Sequence, residues 1–129
     1  MSISISTMSN LSFSAHGNIL EDLTALLEGL QVPFATGHFG DKPPDSYVVI
    51  IPLSDSYEHH ADNMPQVDME EVRLALYSKD NFYPIRDNIC NALHKANFII
   101  TDRRYIGYEA DTKYHHIAID VQKHYKLAD

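Results

Sequence analysis

The sequence has no tryptophan, one cysteine and only five glycines in 129 residues. A single cysteine, Cys90, excludes an internal disulfide and a zinc site of several thiolates, and it fits a reducing compartment. No patterned base lies near it, so Cys90 reads as a small buried helix residue and not as a nucleophile. Few glycines go with the lack of a phosphate-binding glycine loop, and neither G-x-S-x-G nor H-E-x-x-H occurs. Long apolar runs are missing too. The longest aliphatic run is Val48 to Ile51, whereas a bilayer span needs about 18 residues. The opening "MSISISTMSN" has no basic region followed by an apolar stretch, so it does not read as a secretory signal. Basic residues are scarce: ten Lys and Arg stand against eighteen Asp and Glu, for a net charge of −8. That balance argues against a surface that grips phosphate backbones. It suits an acidic wall along which DNA slides without sticking.

What is present supports one domain. Hydrophobic residues make up 44% of the chain, enough for a single core at this length. Residues 1–13, rich in serine, read as a flexible N-terminal segment, and residues 14–129 as a single α+β domain.

The periodicity begins at "NILEDLTALLEGL". Ile19, Leu20, Leu23, Leu26, Leu27 and Leu30 recur at helical spacing over about 18–30. Asn18, with Glu21 three residues on, resembles a capping pair, and Pro33 blocks continuation. "PFATGHFG" is short and β-like. "SYVVIIPLSDSY" is the strongest strand signal, apolar on both faces and so expected centrally in the sheet, with Pro52 marking a bulge or an edge-facing position. "VDMEEVRLALYS" alternates, with Val72, Leu74 and Leu76 on one face and Glu71 and Arg73 on the other. "KDNFYPIRDNICNALHKANF" predicts a second helix with a Phe82, Ile85, Ile89, Leu93 and Ala96 stripe. Asp80 or Asn81 is placed to cap it, Pro84 fits its first turn, and Asn97 suits a left-handed stop. "FIITDRRYIGYE" and "KYHHIAIDVQKHY" read as an antiparallel pair joined through "EADT". The predicted order is α-β-β-β-α-β-β: a mainly antiparallel β-sheet with two α-helices packed on one face.

Two histidine pairs invite a metal reading. His115 and His116 are neighbours on a predicted strand, so they point to opposite faces and do not ligate one ion together. His116 and Asp120 share a face but lie about 13 Å apart along a strand. His59 and His60 fall in the loop "EHHADNMPQ" beside Glu58 and Asp62, where geometry is free. A small metal-dependent enzyme using His59, His60, Asp62 and one of His115 or His116 is therefore an alternative. The acidic group Asp68, Glu70 and Glu71 reads as the solvent face of a strand. Arg103 and Arg104 read as strand-end charges that can meet a phosphate or a partner's carboxylate. Eight tyrosines are many for this length. Tyr57, Tyr77, Tyr105, Tyr108, Tyr114 and Tyr125 fall at strand ends or beside loops, where tyrosine either packs a sheet or serves an interface.

In succession, "DSYVVIIPL", "ADN" at Ala61–Asn63, "YSKD" at Tyr77–Asp80, "ALHKANF", "YEADT" at Tyr108–Thr112 and "YHHIAIDV" resemble the tail-terminator and tail-completion proteins of long-tailed bacteriophages and prophages. The resemblance covers about residues 18–125. It departs at Asn97, where such proteins often carry glycine, and asparagine tolerates the same left-handed backbone. The resemblance implies a structural virion protein in the tail or neck, assembled in the bacterial host cytoplasm, without catalysis, cofactor or membrane. Its implied partners are further copies of itself in a hexameric ring, the tail-tube protein and the head–tail connector, with DNA passing through the ring unbound. Candidate contact residues are Tyr57, His59, His60, Asp62, Asn63, Arg103 and Arg104. A cytoplasmic module that recruits a peptide strand to an open sheet edge is a further alternative.

Overall fold

The structure, a computed structural model, describes residues 18–40, 42–58 and 67–126, and side chains within these except at 54–58, 67, 68 and 126. Helix α1 is Ile19–Gly29, β1 Phe34–Thr36, β2 Ser46–Glu58, β3 Val67–Ser78, α2 Tyr83–Lys95, β4 Ile99–Glu109 and β5 Tyr114–Lys126. This is the α-β-β-β-α-β-β order predicted above. The first thirteen residues and the His59–Asn63 stretch lie outside the described residues.

Helix α1 starts as its sequence dictates. Asn18 is extended (φ −151°), and its side-chain oxygen accepts the Glu21 N–H at 3.0 Å. A second acceptor comes from the sheet: Glu70 Oε1 takes the Ile19 N–H at 3.1 Å. Both satisfy amides that a helix start leaves open, and the carboxylate also complements the positive end of the dipole. Helix α2 departs from expectation. Its N-cap is Phe82, with no side-chain cap bond. Asn81 Oδ1 accepts the Tyr83 N–H at 3.2 Å, while the Asp80 N–H donates to Ser78 Oγ. Pro84 explains why this suffices, since proline in the first turn brings no N–H that needs an acceptor. At the other end Asn97 is left-handed (φ 67°), and the Phe98 N–H donates to the Leu93 carbonyl at 3.0 Å as Phe98 folds back into the core.

The five strands form one sheet in the order β1-β2-β3-β5-β4. Strands β1 and β2 pair in parallel, and every other neighbouring pair is antiparallel. Strand β2 is second from one side. It pairs with β3 along its length but with β1 only over Val48–Ile50, so the central placement expected of it holds for its first half. The register slips between Pro52 and Ser54, the bulge that Pro52 announced. Both helices lie on one face. There Ile19, Leu23, Leu27, Ile89 and Leu93 meet Val48, Ile50, Leu74, Leu76, Ile117, Ile119 and Val121, all nearly inaccessible to solvent. No helix among the described residues is long and apolar enough to cross a membrane.

Candidate functional site

The face that carries no helix is lined by rings. Tyr47, Tyr77 and His116 stand side by side on β2, β3 and β5, because Tyr47 pairs with Tyr77 and Tyr77 with His116 in the register. The Tyr47 and Tyr77 rings stack at 5.0 Å, and Tyr77 stacks on His116 at 4.4 Å. Phe39 and Tyr114 close the group edge-on, and the Tyr114 hydroxyl donates to the Pro44 carbonyl at 2.7 Å. Burial pushes the Tyr47 hydroxyl up to about 12, helped by Tyr114, Tyr77 and Glu109. Burial also lowers the His116 pKa, although Glu109 acts the other way, and His116 Nε2 is buried without a partner among the described residues. Farther along this face, Arg73 grips Asp120 with two bonds of 2.7 and 3.0 Å. The hydrogen bond to Asp120 raises the arginine pKa, so the guanidinium stays charged.

A second surface lies at the β4 edge. Tyr83, Ile99, Tyr105, Ile106 and Tyr108 are each close to half exposed, and all sit on β4 or at the start of α2 beside it. Phe82 stacks on Tyr83 at 4.7 Å and on Tyr105 at 5.7 Å, and the Tyr105 hydroxyl meets His115 Nδ1 at 3.0 Å. Arg86 lies 4.7 Å over the Tyr83 ring. Tyr83 escaped the sequence reading. The signal was there, since it falls off the Phe82–Ile85–Ile89 stripe and so had to face outward.

Of the sequence-selected contact residues, only Arg103 and Arg104 have described side chains. Arg103 and Arg104 diverge, as adjacent strand residues must. Arg103 reaches the Cys90 sulfur on the helix side at 3.7 Å, and Arg104 bonds Asp102 at 3.1 Å. They do not clasp one phosphate together. Tyr57 lies on β2 opposite Asp68, and His59, His60, Asp62 and Asn63 fall outside the described residues. His115 and His116 take opposite faces, as expected. The acidic group also splits: Glu70 caps α1 and does not simply face solvent, whereas Glu71 belongs to the other face of β3. Tyr77 and Tyr114 pack the sheet, Tyr105 and Tyr108 face outward, and buried Tyr125 donates its hydroxyl to Asp22. Among the described residues no three His, Cys, Asp or Glu side chains gather as a ligand set. Cys90 is buried and free, as its sequence context suggested. A groove of about 560 Å³ is lined by Ala25, Leu26 and Gly29 of α1 and Ala92 and Lys95 of α2.

No protein-family model matches the sequence, and no curated protein matches it. Among solved structures, the chain is similar to one described as "Virion of native gene transfer agent (GTA) particle". The identity is 6% and the TM-score 0.44, over 94% of this chain and 91% of the other. At those values the likeness is one of general outline.

Proposed function

We propose that this chain is a structural virion assembly protein of a long-tailed phage or prophage. It caps the tail tube or joins the tail to the head connector, as a ring through which DNA passes. The observation that carries the reading is the ordered resemblance, whose pieces fall on consecutive features of the fold. "YSKD" leaves the end of β3, "ALHKANF" closes α2 on its left-handed asparagine, "YEADT" runs from the end of β4 into the turn, and "YHHIAIDV" is the first half of β5. Two physical properties support it. The net charge of −8 suits a channel wall that repels DNA. The half-exposed aromatic and aliphatic residues beside β4 suit contact with a protein neighbour. The reading needs no cofactor and no catalytic group.

Light scattering after size exclusion, with negative-stain images in the presence of tail tube, tests it. Rings are expected on the tube, or free at high protein concentration. A strict monomer under both conditions counts against the reading. Strand β4, eleven residues long and at the sheet margin, also favours a second reading, a module that recruits a peptide strand. The two readings part on stoichiometry: a ring has several copies, a strand-recruiting module one copy per peptide. Stoichiometric metal in purified, untagged protein would instead revive the loop-histidine enzyme.

A further inference from the structure

The two helices leave a groove of about 560 Å³ between them, a volume in the range of ligand sites. Leu26, Leu30 and Phe98 supply its apolar lining. Ala25, Gly29 and Ala92 also line it, small residues that let another chain approach the helix backbones closely. The core beneath is already closed, since Leu23, Leu27, Ile89 and Leu93 are inaccessible to solvent. The groove is therefore room left over after the helices have packed on the sheet. Gly29 shows how open it is. It is the last residue of α1, and a Cβ there would meet no neighbouring group within 4 Å.

Charge gives this groove little hold on a charged partner. Asp22 and Lys123, which line it, already pair with each other at 3.4 Å, which leaves Lys95. Such a lining favours an uncharged, apolar occupant. The chain has a segment of that composition outside the described residues. Residues 1–17 contain no Asp, Glu, Lys or Arg, in a chain that is 22% charged, and they carry Ile3, Ile5, Met8, Leu11 and Phe13 among serines. They run directly into α1, whose own residues from Asp22 to Leu30 line the groove. Seventeen residues reach about 55 Å when extended, whereas α1 is about 16 Å long. A reversal at Gly17 thus leaves chain to spare. So short a tether also holds the segment near the groove at an effective concentration on the order of mM.

We propose that residues 3–13 lie in the groove of their own chain, with their apolar side chains against Leu26, Leu30 and Phe98. Seated there, the segment takes an apolar strip of the helical side out of water. The inference goes beyond the virion reading and does not depend on it.

The lack of a native tryptophan supplies the test. Phe13→Trp gives the full chain a single indole, whose fluorescence is read in dilute protein without tail tube, so that failure of the ring reading leaves the result untouched. The emission is expected to be blue-shifted, and acrylamide quenching severalfold weaker than in a peptide of residues 1–17 with the same substitution. Adding Gly29→Arg fills the groove where the fold has room, and brings quenching to the peptide's level with the circular dichroism unchanged. Ala25→Arg, at an exposed position of α1 on the same groove, is a second obstruction that leaves the helix end alone. Peptide-like quenching in the unobstructed chain overturns the proposal. So does quenching that stays weak under both obstructions, which puts the segment elsewhere on the molecule. Protection that disappears on dilution assigns the groove to the segment of a second copy and overturns the seat within one chain.

Discussion

The two faces of the sheet come from the same strands at alternate positions, yet they exclude water by different means. On the covered face, Val48, Ile50, Leu74, Leu76, Ile117 and Ile119 are aliphatic and capped by a second layer, the two helices. On the other face, Ala75 and Ala118 are 1% and 2% exposed with no helix above them. Their small side chains lie below the level of larger neighbours, Tyr77 and the Arg73–Asp120 pair among them. The centre of the first arrangement needs apolar side chains, because the aliphatic neighbours there offer a polar group no partner; Tyr125 finds one in Asp22 of α1. The second tolerates rings with hydroxyls, a histidine and an ion pair, because solvent is one side chain away. Stability is therefore concentrated on one face, leaving the other and the β4 edge freer to meet a neighbour.

Substitutions test this division directly. Leu74→Ala removes a fully buried side chain under the helices and is expected to cost about 2–5 kcal/mol in chemical denaturation. Val49→Ala, on the uncovered face, is expected to cost about 1 kcal/mol, since water and neighbours refill the space. Equal losses in the monomer would show that something covers both faces. Arg73→Ala, between these two in size, is expected to cost about 1–3 kcal/mol, because buried Asp120 loses both of its arginine bonds. Replacing both members by leucine should recover most of that loss, since the cost comes from the charge left unpaired. A double variant no more stable than the single one would show that the pair has a further role on this face.

Much of this was legible because it is periodic. The 3.6-residue repeat from Ile19 to Leu30 and the alternation from Val72 to Leu76 each report which side is buried, and the helices and strands follow. Asn97 was legible because left-handed backbone selects few residue types. Pairing over long distances was not. That β1 covers β2 no further than Ile50, that β4 ends up at the margin, and that Glu70 accepts the first amide of α1 depend on chain segments far apart, and no local pattern encodes them. The same limit applied to the candidate site. Arg103 and Arg104 look like a pair in sequence, and strand geometry separates them. Tyr83 and Tyr105 are far apart in sequence, and both pack against Phe82.

The smallest expected effect concerns the neighbours His115 and His116. His115 sits among Phe82, Tyr105 and Tyr108 near the exposed edge, while His116 lies in the ring cluster of the uncovered face, stacked on Tyr77. Burial lowers the His116 pKa below the ordinary 6.5; Arg73 adds to that shift, and Glu109 opposes it. The unfolded chain therefore takes up a proton at this residue at higher pH than the folded one does. Stability from this group is complete above about 6.5 and falls as pH drops through the interval down to the folded-state pKa, below which the loss is constant. His116→Phe keeps a ring on Tyr77 and removes the titration. Unfolding free energies measured between pH 7.5 and 5 should fall less steeply in His116→Phe than in the wild type. Parallel curves for the two proteins would mean that the imidazole finds an acceptor or water when it charges, and that the uncovered face is wetter at this point than its stacked rings imply.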